Sequence, residues 1–269
     1  MKTILPFTII YEDARIIAVN KSAGIAVSGD RWDDSKDRLD ILVRDSLPQP
    51  QKIFRVHRLD RDTSGLVVFA KNSGSHSALS RIFENREIYK RYIAVVNGRP
   101  LWKEEECALP LIPDGNKKHM TIVDKYRGKK SLTRFRVLGS AGTFSVVEAL
   151  PETGRTHQIR VHAAALGFPV VCDRLYGNGK PVFLSSFKRK WRGDPVDEKP
   201  LLARLGLHAA ELRIPMSNEQ GARSHKSAEG NNDEQKELLV LTAPLAKDIA
   251  SLINQMKKVS EICIDGIFS

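Results

Sequence analysis

The segment VHRLDRDTSG, residues 56–65, decides the fold, because it reads as a charged loop between strands predicted at 53–57 and 66–70. Asp60 stands in this loop with Arg58 and Arg61 beside it. Adjacent cations favour the ionised form of a carboxylate. An ionised aspartate on a loop that leaves a strand is a candidate nucleophile or base.

Two other interpretations of the loop stay open on these residues alone. In the first, Asp60 and Arg58 form a surface salt bridge and residues 63–65 only turn the chain. In the second, Asp60 and Asp62 form the carboxylate pair of a glycosidase, since residues two apart on an extended chain lie on one face. The separation that glycosidase chemistry needs cannot be taken from the sequence.

The segments around this loop predict an α+β fold with a long mixed or largely antiparallel sheet, since strands outnumber helices and cluster in runs. Apolar periodicity and turn residues set the boundaries of the predicted elements. Strands are predicted at 8–11, 16–19, 89–99, 132–138, 143–150 and 206–215 and after 237, with helices at 37–47, 73–86 (capped by Ser73), 155–167 and after Pro244.

Composition bounds the class of protein. The 269 residues are 41% hydrophobic, which is typical of a globular chain, and we expect a single catalytic domain over 1–269. Forty-three Lys and Arg against 32 Asp and Glu give a net charge of +11, which favours polyanions such as nucleic acid as partners. Three scattered cysteines, no signal peptide and no membrane span predict a cytoplasmic protein.

A second charged segment, GRTHQIRVH at residues 154–162, contains Arg155 and Arg160. A guanidinium suits pairing with a carboxylate or phosphate, although a solvated basic helix face explains the same residues. His157 and His162 are five residues apart, so a helix does not stack them as zinc ligands, and no metal site is expected. Tyr92, on a predicted strand, is either a core aromatic or a surface on which a base stacks.

Taken in order, the segments HRLDRDTSGLVVFAKN, YKRYIAVVNG, ETGRTHQIRVHAAALGFPVVCDRLYG and LHAAELRIP resemble the motifs of the RluA family of RNA pseudouridine synthases. The resemblance spans residues 9–252 and implies a two-lobed α+β fold with a central cleft. It also implies that neither a metal nor an organic cofactor takes part. Carried over by motif, the essential aspartate is Asp60, the tyrosine is Tyr92 and the arginine is Arg155.

The resemblance implies roles for these three residues in breaking the uridine N1–C1′ bond and rejoining the base through C5. Asp60 would attack C1′, add to the ring, or remove a ribose proton toward a glycal, and the sequence leaves these routes open. Arg155 would pair with Asp60 and keep it ionised. Tyr92 would stack on the uracil and is a candidate acceptor of the C5 proton.

The implied partner is an RNA, with a stem-loop of ribosomal or transfer RNA as the expected target. Arg58, His157 and Arg160 are the predicted nucleic-acid contacts. No N-terminal S4-type domain is expected, a polar insertion is predicted at 217–236, and the expected state is a monomer. A non-catalytic RNA-binding protein and a hydrolase that uses Asp60 and Asp62 are the alternatives.

Overall fold

The computed structural model describes residues 5–29, 37–49, 51–115, 120–216 and 237–263. The polar insertion predicted at 217–236 lies outside these residues. In the part of the chain that is described, no helix is both long and apolar enough to cross a membrane.

The described residues build a ten-stranded sheet, a separate two-stranded sheet, four α-helices and one 3-10 helix at Leu184–Ser186. The strands are β1 (Phe7–Glu12), β2 (Ile16–Lys21), β3 (Phe54–Arg55), β4 (Ser64–Ala70), β5 (Tyr89–Asn97), β6 (Glu104–Cys107), β7 (Leu111–Ile112), β8 (Ile122–Val123), β9 (Thr133–Ala141), β10 (Phe144–Pro151), β11 (Leu207–Met216) and β12 (Glu237–Thr242). The α-helices are α1 (Leu39–Ser46), α2 (Ser73–Glu84), α3 (Gln158–Ala165) and α4 (Lys247–Lys257).

The large sheet has the strand order β1-β2-β4-β11-β5-β10-β9-β6, with β3 paired to β4 and β12 paired to β11. Its described strand pairs are antiparallel except β4 with β11, which run parallel where Ser64 and Gly65 face His208 and Ala209. The α+β class and the mixed sheet predicted from the sequence are therefore confirmed.

The parallel pair is the seam between the two halves of the sheet, and it depends on Gly65. This residue has φ +114, and a β-carbon there would overlap the backbone of Ala209 on the neighbouring strand. Only glycine combines this conformation with so close an approach. The Thr-Ser-Gly end of the opening segment thus joins the strand that follows the charged loop to the other half of the protein.

Successive side chains of the central strands point to opposite faces of the sheet, and both faces are buried. In β4, Val67 and Phe69 pack in a cluster with α1, while Leu66 and Val68 pack on the other face with α2. β5 divides in the same way between a cluster with α4 and a cluster with α3. Helices therefore cover both faces, and the cleft opens where the loop before β4 meets the start of α3.

The structure differs from the sequence prediction at several element boundaries, and it contains strands β6, β7 and β8, which were not predicted. The strand predicted at 53–57 is reduced to β3, and α2 is capped by Asn72, whose side chain accepts a hydrogen bond from Ser75 N at 2.9 Å, instead of by Ser73. The helix predicted from 155 begins only at Gln158. This last difference changes the candidate site.

Candidate active site

Asp60 lies at the junction of two cavities, of about 520 and 460 Å³, and lines both of them. The neighbouring Leu59 is buried in the core, and the Asp60 carbonyl accepts a hydrogen bond from Thr63 N at 3.1 Å. These contacts fix the backbone of the loop, while the Asp60 side chain keeps 21% of its surface exposed. The carboxylate is thus held in place and remains accessible from the cleft.

The guanidinium that contacts Asp60 belongs to Arg160, in the first turn of α3. Its Nη1 donates to Asp60 Oδ2 at 3.2 Å. On its other edge, Nε and Nη2 donate to the two carboxylate oxygens of Asp173 at 2.7 and 2.9 Å. Arg160 therefore joins a fully buried carboxylate to a cleft carboxylate, and the bidentate edge fixes the plane of its guanidinium.

Arg155, which the sequence analysis paired with Asp60, lies elsewhere on the cleft wall. It lines the larger cavity, and its Nε donates to the Lys130 carbonyl at 3.2 Å. Both arginines belong to the same GRTHQIR segment, and the structure gives the position facing Asp60 to the second of them. In the structure Arg160, and not Arg155, pairs with Asp60. The RNA contact predicted for Arg160, which is only 6% exposed, stays a prediction.

The start of α3 explains this exchange. Gln158 is buried, and its side-chain oxygen accepts hydrogen bonds from Thr153 Oγ1 at 2.7 Å and from Arg155 N at 3.0 Å. His157 takes a left-handed conformation, φ +53, which ends the loop and starts the helix after it. Residues 154–157 are therefore a loop along the cleft wall, and Arg160 is the third residue of the helix.

Asp173 is supported by the turn that follows it. Its Oδ1 accepts hydrogen bonds from the backbone N–H groups of Leu175 at 2.9 Å and Tyr176 at 3.1 Å. The centre of the Tyr176 ring lies 5.1 Å from the central carbon of the Arg160 guanidinium, and the Tyr176 hydroxyl oxygen is 2.8 Å from His157 Nδ1. The segment CDRLYG thus forms the back wall of the site, behind Arg160.

Charge and burial act against each other in this cluster. Burial alone lowers the pKa of Arg160, but the hydrogen bonds and charge of Asp173 and then of Asp60 raise it overall. Burial likewise raises the pKa of Asp173, and the Arg160 guanidinium brings it below its ordinary value. Burial lowers the pKa of His157 in spite of the Asp60 carboxylate, whose Oδ2 is 3.9 Å from His157 Nε2. The site therefore holds the Asp173 carboxylate, one permanent cation and a neutral imidazole at pH 7.

Tyr92 lies on β5, opposite Ala149 and Ala209 of the flanking strands, and lines the larger cavity together with Asp60. Burial, and then the negative charge of Asp60, raise the pKa of the Tyr92 phenol far above 10. The phenol is thus neutral at physiological pH. It offers an aromatic face and a hydroxyl donor to whatever enters the cavity.

Lys21, at the end of β2, supports the loop that contains Asp60 by hydrogen bonds. Only 1% of the residue is exposed, and its ammonium donates to the carbonyls of Ser22, Ile25 and Arg61 at 2.9, 3.0 and 3.0 Å. Burial lowers the Lys21 pKa to about 7, against the attraction of Asp62 and Asp60. Three carbonyl acceptors from two separate segments make this lysine a fixed part of the loop's support.

The remaining charged residues of the segment at 56–65 differ in the cavity that they line. Arg58 is exposed and lines both cavities, as expected of a residue at the entrance to a cleft. Asp62 is exposed and lines only the smaller cavity, away from Tyr92. His57 accepts a hydrogen bond from Val68 N at 2.9 Å and stacks on Phe83, and burial lowers its pKa to about 3. His57 is thus a structural imidazole in the neutral form.

Sequence reasoning missed Asp173, Gln158 and Lys21. Asp173 and Gln158 both lie inside a quoted motif, and their residue types were the available signal: an acid three residues before a tyrosine, and an amide two residues before an arginine. Lys21 has no such signal, because its three partners become neighbours only in the fold. Among the described residues, no three His, Cys, Asp or Glu side chains come together to hold a metal ion.

Comparison with known proteins now identifies the family. A family model described as RNA pseudouridylate synthase matches residues 15–165. Dual-specificity RNA pseudouridine synthase RluA of Vibrio vulnificus is 37% identical over 213 residues, which is 77% of each chain. The chain belongs to the RluA family of RNA pseudouridine synthases.

Other relatives of this RluA-family synthase agree. Ribosomal large subunit pseudouridine synthase D of Zymomonas mobilis is 34% identical over 182 residues, which is 65% of this chain and 57% of that protein. The solved structure of Human RNA Pseudouridylate Synthase Domain Containing 1 is similar with a TM-score of 0.63 and 26% identity, covering 91% of this chain and 85% of the other. The pseudouridine synthase fold expected from the resemblance is confirmed.

Proposed function

We propose that this chain isomerises uridine to pseudouridine in folded RNA, with Asp60 as the catalytic carboxylate. The observation that carries this proposal is the position of Asp60: it faces a cavity that also contains Tyr92, and a buried guanidinium contacts it from behind. A reacting carboxylate needs both access and a fixed charge partner. Asp60 has both, whereas Asp62 lies outside that cavity.

In the proposed reaction the bond from N1 of uracil to C1′ of the ribose breaks, the base turns, and C5 forms the new bond to C1′. The proton on C5 leaves and N1 gains one, so the product is an isomer of the substrate. Asp60 begins this sequence by attack at C1′, by addition to the ring, or by removing a ribose proton. In each route Arg160 stabilises the carboxylate, and Asp173 keeps Arg160 from turning away.

Tyr92 is proposed to stack on the uracil while the base is free to turn. Its raised pKa keeps the phenol protonated at neutral pH, so little phenolate is present to accept a proton, and an effective general base has a pKa near the working pH. We therefore assign the C5 proton to Asp60 or to water, in place of the tyrosine expected from the sequence. Contact of the Tyr92 ring with the bound base remains its proposed role.

The substrate is proposed to be an RNA stem-loop from which the target uridine is extruded, because a stacked base cannot reach a recessed carboxylate. Arg58 and Arg155, on the walls of the larger cavity, are placed to contact the phosphates around it. Ribosomal or transfer RNA is the expected source. Ribosomal RNA is supported by the names of the relatives, several of which are ribosomal large subunit pseudouridine synthases.

Pseudouridine mapping tests this function. The pseudouridine content of total RNA is compared between cells that produce the protein, cells that lack it, and cells that produce only the Asp60→Asn or the Asp62→Asn variant. We expect at least one uridine to lose its modification without the chain, Asp62→Asn to restore it, and Asp60→Asn to fail. Unchanged maps would support a non-catalytic RNA-binding protein, and restoration by Asp60→Asn would overturn the role of Asp60.

A further inference from the structure

The smaller cavity lies on the other side of Asp60 from Tyr92. Both cavities share one dividing ridge, made of Arg58, Leu59, Asp60, His157 and Arg160. The smaller cavity continues from this ridge between residues 26–28, 61–62, 172–175 and 203–205. It has a volume of about 460 Å³, within the range of small-molecule sites.

The floor and the rim of this cavity differ in chemistry. Val27, Cys172 and Leu205 are buried and form an apolar floor. Arg61 and Arg174 are exposed at the rim. An apolar floor with a few converging charged groups is the usual design of a binding pocket. Among the residues that the structure describes, no phenylalanine, tyrosine or tryptophan lines it, so this part of the cavity suits a sugar and phosphate better than a stacked base.

The walls of the smaller cavity are firmly held. Arg204 is fixed by Asp248, whose two carboxylate oxygens accept from its Nη2 and Nε at 2.6 and 2.7 Å. Arg61 donates from Nε to the Gly24 carbonyl at 3.0 Å, and its own carbonyl is tied to Lys21. Cys172 takes a left-handed conformation, φ +59, a strained state that needs support from its surroundings and that clusters at functional sites. The cavity is therefore preformed in the free protein.

We propose that this cavity binds the ribose and phosphodiester of the nucleotide next to the target uridine, with Arg61 and Arg174 as the phosphate contacts. The inference rests on the proposed function, because Asp60 must reach C1′ of the target. That requirement places the target ribose on the ridge and its base beside Tyr92 in the larger cavity. The strand must then continue from the same ribose, and the smaller cavity is the adjoining concave site.

The test uses synthetic RNA hairpins that carry a single target uridine. In two modified versions, an uncharged methylphosphonate replaces the phosphodiester on the 5′ or the 3′ side of that uridine. The proteins are wild type, Arg174→Ala, and Arg99→Ala, a control that removes an exposed arginine outside both cavities. Binding is measured by fluorescence anisotropy across a salt series, and conversion is measured separately.

We expect Arg174→Ala to weaken binding about tenfold and to lower the slope of log affinity against log salt by about 0.7–0.9, as the loss of one phosphate contact does. One of the two methylphosphonates should weaken wild-type binding by a similar factor or more, and it should weaken binding by Arg174→Ala much less, because only the Arg61 contact to that phosphate remains to be lost. Arg99→Ala should retain the wild-type sensitivity to that methylphosphonate.

A second variant fills the cavity without changing charge. Ala203 is exposed on its wall, so Ala203→Phe has room to fold and should weaken binding of the hairpin. Equal methylphosphonate effects in wild type and Arg174→Ala, or wild-type affinity in Ala203→Phe, would overturn the proposal. Binding of the hairpin by the wild-type protein without any conversion would instead refute the proposed function. The failure of the cavity proposal and the failure of the proposed function thus give different results.

Discussion

Replacing Arg160 with methionine, which keeps the length of the side chain and removes its guanidinium, separates the two arginines of the GRTHQIR segment. Asp173 is fully buried and Arg160 has 8% of its side chain exposed. Breaking a buried ion pair by removing one partner costs about 3–5 kcal/mol. At about 2–4 °C per kcal/mol for a domain of nearly this size, Tm should fall by about 6–20 °C.

The matched change, Arg155→Met, removes a half-exposed hydrogen bond to a backbone carbonyl. A neutral acceptor at the surface makes this worth about 1 kcal/mol or less. Urea denaturation measures both losses of stability, and single-turnover conversion of a hairpin at low temperature measures activity. Arg160→Lys is included because it restores a charge without the planar fork, and it should remain folded with strongly reduced activity.

The expected order of activity is wild type, Arg155→Met, Arg160→Lys and then Arg160→Met. Arg155→Met should keep its maximal rate and lose affinity for RNA. If Arg155→Met abolishes conversion while Arg160→Lys proceeds at the wild-type rate, the assignment of the Asp60 partner from this geometry is refuted.

Three further predictions follow from the same contacts. Tyr92→Phe should keep stability and most of the conversion rate, since the ring is retained, whereas Tyr92→Leu should lose the rate by a much larger factor, both measured by single-turnover kinetics. Gly65→Ala should destabilise the seam with Ala209 by more than the about 1 kcal/mol of an ordinary glycine change, seen in the urea midpoint. Because the folded His57 has a pKa of about 3 and the unfolded one about 6.5, the unfolded state binds more protons over that window and stability falls as pH drops below 6.5. Between pH 7.5 and 5.5 His57 should account for about 1 kcal/mol of the fall in unfolding free energy. His57→Gln should abolish this contribution, and the control His76→Gln should retain it. An unchanged pH slope in His57→Gln would count against a neutral imidazole at position 57 of the folded protein.

The elements with a strong apolar period are those that the sequence predicts well. The hairpin of β1 and β2 and the strand β5 form where the apolar runs predict strands, and the helix α4 buries the face that its periodicity indicates. The position of Asp60 on a loop before a buried strand is also as predicted. Local apolar patterning decides these elements, and that pattern is present in the sequence of each element.

The partner of Asp60 depends on contacts between distant segments, and the local pattern does not contain them. The Gln158 amide donates from Nε2 to the Leu132 carbonyl and to Thr133 Oγ1, both at 2.9 Å, which anchors the loop of residues 154–157 to β9. That anchor delays the helix by three residues and turns Arg160 instead of Arg155 toward Asp60. Periodicity cannot show this, because a side-chain hydrogen bond to a strand about 25 residues away sets the helix start.

The central claim is that Asp60 is the reacting carboxylate, and pseudouridine formation by purified protein tests it most directly. Wild type, Asp60→Asn and Asp62→Asn are each incubated in excess over an unmodified transcript of the mapped RNA, and pseudouridine is quantified over time. Asp60→Asn keeps the shape of the side chain and its hydrogen-bond acceptor for Arg160, so it should bind the RNA and form no pseudouridine, while Asp62→Asn should match wild type. Conversion by Asp60→Asn at the wild-type rate, or an equal loss in Asp62→Asn, would contradict the account.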